Sequence, residues 1–308
     1  AAEMFFRVNI PQFEVEVWEN NAVVREHRVI VGNNNYEIDQ DHGRKGHLNR
    51  TALISETLQT VVLNPVWNVP ERIKIQEVLV DAAKDPTYFE RHGYKVRVLP
   101  DGTEQIYQEA GPDNALGRVK LLFPNRYAIY MHDTPKKKLF DRTMRAFSHG
   151  CMRLNDPVSM ATFLLQRDDQ VSSTKVQEIL KARKERAFKL KRPLPIHVEY
   201  NTVAFEEGDD EPVFLYDIYG YDQAFWDGEV PVVREEEIPI VKTELPMPEW
   251  ERDENPMDDD ATPVPSPSFE PDEPKDKPAA DRHPSDKDEP DKGDKSRGEK
   301  RQHQTDEG

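Results

Sequence analysis

The sequence predicts a mainly β fold with a few helices, an α+β domain, on three observations. Apolar and polar residues alternate with period two as far as Gly32, the same alternation returns in short runs up to Tyr219, and helical periodicity is confined to a few short stretches. A chain of 308 residues has room for one large domain or two small ones.

Phe6, Val8 and Ile10 share one face, and after Pro11 the run Phe13, Val15, Val17 repeats the pattern with Glu14, Glu16 and Glu19 interleaved. Asn20-Asn21 makes a turn, and Val23 to Gly32 returns as the second arm of a hairpin. A polar loop, 33–50, leads to a strand at Thr60–Leu63 that Asn64-Pro65 ends. Residues 71–83 place Ile73, Ile75, Val78, Leu79 and Ala82 on one helical face. Across 85–117, Gly93, Pro100-Asp101-Gly102 and Gly111-Pro112-Asp113 interrupt short strand-like pieces such as Tyr94–Val98, which reads as an inserted subdomain or lid. Strand patterning resumes at Val119–Phe123 and at Tyr127–Met131, delivering His132 at a strand end. Asp156-Pro157 opens a helix, the carboxylate capping free amides while proline at the first position gives up no hydrogen bond, and Met160, Ala161, Phe163, Leu164 and Leu165 form its buried stripe. A second helix is expected over 174–186 with Thr174 as its cap. Ile196 to Phe205, a turn at Gly208-Asp209-Asp210, and Val213 to Tyr219 read as a closing hairpin.

From about Val230 the pattern dissolves. The formal charge is -17, and residues 251–308 hold 19 acidic against 10 basic side chains with nine prolines and one aromatic residue, Phe269. Such a segment cannot bury enough apolar surface to offset chain entropy, so disorder is expected. Two readings stay open for it: a solvated extension, or an envelope-spanning or partner-binding tail. No apolar run reaches the length of a membrane span, and the first residues carry neither a basic nor an apolar signal region. Beginning at Ala1, the chain reads as a processed product or an excised fragment.

The single cysteine, Cys151, cannot form an intramolecular disulfide, so the question is what a lone thiol does. A cysteine nucleophile needs a base or cation beside it and amide donors aimed at the developing oxyanion. Ser148-His149-Gly150-Cys151 offers both. Gly150 allows close approach of a substrate carbonyl, which makes the amides of His149, Gly150 and Cys151 the candidate oxyanion donors. His132 is the favoured base, its ring held by a nearby carbonyl. Spacing alone does not separate it from His149, whose other reading is support of the loop. Nine basic residues between Arg118 and Arg153, Lys120 and Lys136–Lys138 among them, face only Asp133 and Asp141 in that stretch. A basic field of this kind favours thiolate and attracts anionic substrate. No aromatic-interleaved basic motif points to nucleic acid. His42 and His47 near Asp39 and Asp41 lack the spacing of a metal site, so neither a metal nor a cofactor is expected.

His132-Asp133-Thr134-Pro135 followed by Ser148-His149-Gly150-Cys151-Met152-Arg153 resembles the motif of the YkuD-type L,D-transpeptidases, peptidoglycan cross-linking enzymes. Asn64-Pro65-Val66-Trp67-Asn68-Val69-Pro70, Gly111–Gly117 and Tyr216–Asp222 resemble their large envelope subgroup. The resemblance implies a β-sandwich catalytic domain over 1–228 with a capping insertion near 85–117, and leaves 229–308 as a tail. It also implies that Cys151 attacks a tetrapeptide stem, forms a thioester and releases D-alanine, and that a second stem resolves it as a 3-3 cross-link. His132 would move the protons, the Asp133 carbonyl would hold its tautomer, and Arg153, Ser148, Trp67 and Asn68 would meet substrate; for Trp67 a packed core position is the equal alternative. A lipoprotein or outer-membrane-protein amine, a D-amino acid or water are alternative acceptors, and a noncatalytic wall-binding scaffold is the rival class. The setting implied is the periplasm or cell envelope, with an envelope protein as a further partner through the tail.

Overall fold

The computed structural model describes residues 4–39, 44–205 and 211–229. These lie in the first of two compact units, Ala1–Val264. The turn expected at 208–210, the acidic tail, and Asp41 and His42 fall outside the described residues.

Sixteen strands are described: β1 Met4–Asn9, β2 Glu14–Glu19, β3 Ala22–Gly32, β4 Glu37–Asp39, β5 Arg44–Gly46, β6 Ile54–Leu63, β7 Trp67–Asn68, β8 Tyr94–Val98, β9 Glu104–Gln108, β10 Val119–Leu122, β11 Met131–His132, β12 Ala146–Ser148, β13 Met152–Leu154, β14 Arg186–Glu199, β15 Val203–Phe205 and β16 Pro212–Phe214. Nine of them form one sheet in the order β12-β3-β13-β11-β10-β6-β14-β1-β2, and β3 also pairs with β2, so the two ends of the sheet meet at one long strand. The alternation seen in the sequence is what this requires. Phe6 and Val8 of β1 and Val15 and Val17 of β2, paired across the two strands, are fully buried on its inner face. The helix Pro157–Arg167 packs Met160, Ala161, Leu164 and Leu165 into the same core, and Asp156 caps it by accepting the Ser159 N–H at 3.2 Å.

Several elements depart from the sequence reading for identifiable reasons. Residues 127–130 are not a strand. Ala128 sits at φ 53°, and the Asn125 side chain bonds the Phe123 and Ile129 carbonyls at 2.7 Å each, so a tight turn occupies the stretch and β11 keeps only two residues. The second helix runs Ser173–Ala182; Ser172 rather than Thr174 caps it by accepting the Lys175 N–H at 3.2 Å, and Arg183 at φ 53° stops it before 186. Residues from Arg186 onward instead enter β14, whose Pro193 and Pro195 disguise a strand that shifts register between Lys189 and Leu194.

A second, smaller core lies apart from the first. Trp67, Val69, Val78, Ile106 and Leu116 pack together, flanked by Ile73, Tyr88, Phe89 and Tyr94. They come from the sheet β7-β9-β8 and a helical run over 71–84 whose middle turn, Lys74–Val78, is π-helical. The cap therefore draws on residues from Trp67 onward as well as on the 85–117 stretch.

Candidate active site

The site is assembled by strand register. Lys120 of β10 is the direct partner of His132 in β11, and His132 is the direct partner of Arg153 in β13. Directly paired residues project to the same face, so these three side chains form a row across adjacent strands with the imidazole between two cations. Cys151 and Tyr130 each precede a member of that row by two residues, and the Met152 N–H bonds the Tyr130 carbonyl at 3.0 Å, holding the two segments together. Tyr130 reaches the row itself: its ring lies 5.6 Å from the His132 ring and 4.1 Å from Lys120 Nζ.

His132 is 6 % exposed, and its Nδ1 lies 2.5 Å from the Asp133 carbonyl oxygen. With a carbonyl there, Nδ1 donates and Nε2 is left as the acceptor. Asp133 is itself locked: its carboxylate takes the Arg118 N–H at 2.9 Å, the Thr134 N–H at 2.7 Å and Lys137 Nζ at 2.5 Å. Gly117, at φ 60°, makes room for that carboxyl, which occupies the position where a Cβ would stand. The Gly111–Gly117 stretch thus ends by supporting the histidine's neighbour.

The thiol loop is cradled from below. Ser148 Oγ donates to the Cys151 carbonyl at 2.5 Å and accepts the Gly150 N–H at 3.2 Å. Gly150 adopts φ 111°, open to glycine almost alone. Thr51 Oγ1 donates to the Gly150 carbonyl at 2.9 Å and accepts the Gly32 N–H at 2.8 Å, while the Tyr219 hydroxyl takes the Thr51 N–H at 3.0 Å and donates to the Gly32 carbonyl at 2.8 Å. One member of the expected oxyanion set is therefore committed: the Gly150 amide bonds Ser148, leaving those of His149 and Cys151.

Two expectations about electrostatics and contacts change. Burial pushes the Cys151 thiol up, and this outweighs the pull of the Tyr130 amide and hydroxyl and of the Lys120 and Arg153 charges. The basic surround does not by itself yield a resting thiolate. Burial first, then Arg153, lowers His132 to about 3, against the opposing hydrogen bond to Asp133. Both the thiol and the imidazole thus rest neutral, and the thiol donates to the Ala128 carbonyl at 3.8 Å. His149 turns to the cap, its Nε2 2.5 Å from Glu77 Oε1 in the π-helical turn, and Glu77 is held below the usual carboxylate range chiefly by that hydrogen bond. Trp67, 9 % exposed, belongs to the small core and stacks obliquely on Tyr94 at 6.3 Å; Asn68 Oδ1 accepts from Arg97 at 2.9 Å. Among the described residues no three His, Cys, Asp or Glu side chains converge as metal ligands would.

Sequence reasoning passed over Tyr130, Glu77, Thr51 and Tyr219. Only Tyr130 carried a signal, its position two residues before His132.

Residues 3–177 match the family model of the YkuD L,D-transpeptidase catalytic domain. The chain belongs to this family. A Haemophilus influenzae protein named as a candidate L,D-transpeptidase is 32% identical over 232 residues, which cover 70% of this chain and 44% of that protein. The chain thus spans less than half the length of that curated relative. Among solved structures, an L,D-transpeptidase from Mycobacterium smegmatis aligns with 65% of this chain and 59% of its own at 13% identity and a TM-score of 0.30. L,D-transpeptidase 1 of Mycobacterium tuberculosis aligns with 65% of this chain and 62% of its own at 12% identity and a TM-score of 0.27. Family membership rests on the sequence match. The match spans both the His132-Asp133 and the Ser148–Cys151 segments of the YkuD domain, the two whose geometry is described above.

Proposed function

We propose that this domain is a cysteine acyltransferase that forms 3-3 peptidoglycan cross-links in the cell envelope, with Cys151 as nucleophile and His132 as base. The observation that supports the reading is a tautomer-fixed, neutral imidazole in β11, the strand paired with β13, which begins directly after the half-buried Cys151. Because both groups rest neutral, the Sγ proton passes to Nε2 as sulfur bonds the carbonyl carbon between diaminopimelate and the terminal D-alanine of a tetrapeptide stem. The amides of His149 and Cys151 face the oxyanion. Collapse breaks the C–N bond, and Nε2 returns the proton to the departing D-alanine amine, leaving a thioester. An amine of a second stem then gives a proton to Nε2, attacks the thioester carbonyl and frees the thiol, which recovers the proton.

Incubation with a disaccharide tetrapeptide and competing acceptors tests this reading. A cross-linked dimer and free D-alanine are expected, both abolished in Cys151→Ala and reduced at least about 100-fold in His132→Ala. Transfer to water, a D-amino acid or a lipoprotein amine in preference to the stem would replace the cross-linking acceptor. Equal function in wild type and Cys151→Ala would leave a wall-binding scaffold.

A further inference from the structure

The row that holds His132 carries two cations, Lys120 and Arg153, that no carboxylate pairs with among the described residues; Lys120 Nζ lies 4.1 Å over the Tyr130 ring. Neither Lys120 nor Arg153 makes a hydrogen bond or ion pair with a described residue, and the Arg153 Nε is buried without an acceptor. The nearby cations differ. Lys137 is tied to Asp133 at 2.5 Å and Arg72 to Glu37 at 2.7 Å. The acids that Lys120 and Arg153 do feel are engaged elsewhere: Glu185 accepts the Val66 N–H at 2.7 Å, and Glu77 is taken by His149. Lys120 and Arg153 are partly buried, and holding two like charges on one face without a carboxylate between them is unfavourable, so a fold that keeps them beside Cys151 is suited to an anion arriving there. Their strands flank β11, which puts the two backbones about 10 Å apart, and both long side chains rise from the face that carries Cys151 and Tyr130. An ammonium and a fork of guanidinium donors facing one gap are chemically suited to a single carboxylate.

We propose that Lys120 and Arg153 form a two-point clamp for a carboxylate adjoining the scissile amide of the donor peptide. This rests on the acyl-enzyme reading above and assigns Lys120 as a specificity-determining residue. Two sources have the right chemistry: the terminal carboxylate of the leaving residue and the side-chain carboxylate of the acyl residue. An anion between the two cations also offsets the positive field on His132, so the substrate's own charge eases the proton transfer that acylates Cys151.

The test measures thioester formation by wild type, Lys120→Met and Lys120→Arg with three donors: the native tetrapeptide, its C-terminal amide, and the peptide amidated on the diaminopimelate side chain. In wild type, one of the amidations should lower kcat/KM about tenfold or more, mainly through KM, and which one it is names the carboxylate. Lys120→Met should be indifferent to that amidation, and Lys120→Arg should retain the discrimination. A wild type indifferent to both amidations, or a Lys120→Met that discriminates as wild type does, overturns the clamp while leaving the thioester chemistry in place. A wild type that acylates with no donor defeats the acyl-enzyme reading instead. In that case alkylation of Cys151 still decides the clamp: the rate ratio of iodoacetate to iodoacetamide should fall severalfold in Lys120→Met, and an unchanged ratio contradicts it.

Discussion

At the residue scale, Cys151 and His132, the pair proposed to react, are defined by what desolvation does to them. His132 titrates near 3 when folded against an ordinary 6.5, so the unfolded chain takes up a proton between these values that the native state refuses. Its contribution to stability is unaffected above pH 6.5 and becomes a growing penalty as pH falls through that window. Ring resonances of His132 should accordingly show no titration between pH 5 and 8 in the free enzyme, and a midpoint near 6.5 would contradict the buried, cation-flanked site. The thiol behaves in the opposite sense. With Cys151 raised by burial, iodoacetamide alkylation of the free enzyme should still accelerate between pH 8 and pH 9, whereas a plateau below pH 8 would indicate a resting thiolate. The 148–151 loop could be singled out in the sequence because the chemistry proposed for it draws on consecutive residues. Lys120 was visible there only as one of nine basic residues and Tyr130 only as a neighbour of His132, because their places beside the imidazole depend on cross-strand register and ring packing.

At the element scale, the site hangs on short pieces of structure tied by side chains. β11 has two residues and β12 three, and both are positioned less by their own ladders than by Asp133, Ser148 and Thr51. The helical run over 71–84 is attached to this region twice, by Glu77 to His149 and by Arg72 to Glu37 and Asn49. Glu77→Gln should loosen the first attachment, seen as faster amide exchange in 71–84 and in the 148–151 loop with β1 and β2 unchanged. Because Glu77 is depressed, wild type should show the same loosening as pH drops below its ordinary 4.5, the attachment being complete above that value. Exchange in Glu77→Gln identical to wild type would show that this contact holds nothing. Period-two strands such as β1, β2 and β3 were readable from alternation. β14 was hidden by its prolines, and the turn at 124–128 by an apolar run, Ala128 to Met131, that imitates a strand.

At the scale of the described molecule, two cores divide the work. The large sheet supplies Lys120, His132 and Arg153 from adjacent strands, so the reactive row inherits the rigidity of a fully packed core. The cap has its own core of five buried residues, with Tyr130 packed against it, which makes it the less stable of the two among the described residues. Ile106→Ala should cost about 2–4 kcal/mol of stability locally, with exchange protection lost across the cap and kept in β6, β10 and β14. Loss of protection throughout the main sheet would mean that the two cores unfold as one. The breaks at Gly93, Gly102 and Gly111 set this stretch apart in the sequence, but the small sheet's reach back to Trp67 depends on β7 pairing with β9, a long-range register that no local pattern reports. The central claim, that Cys151 carries an acyl group drawn from a stem peptide, is tested most directly by intact-protein mass spectrometry after incubation with a disaccharide tetrapeptide. The account expects an adduct equal to the donor less D-alanine, confined to Cys151 and absent from Cys151→Ala. An unmodified wild-type protein that nonetheless binds the donor would contradict it.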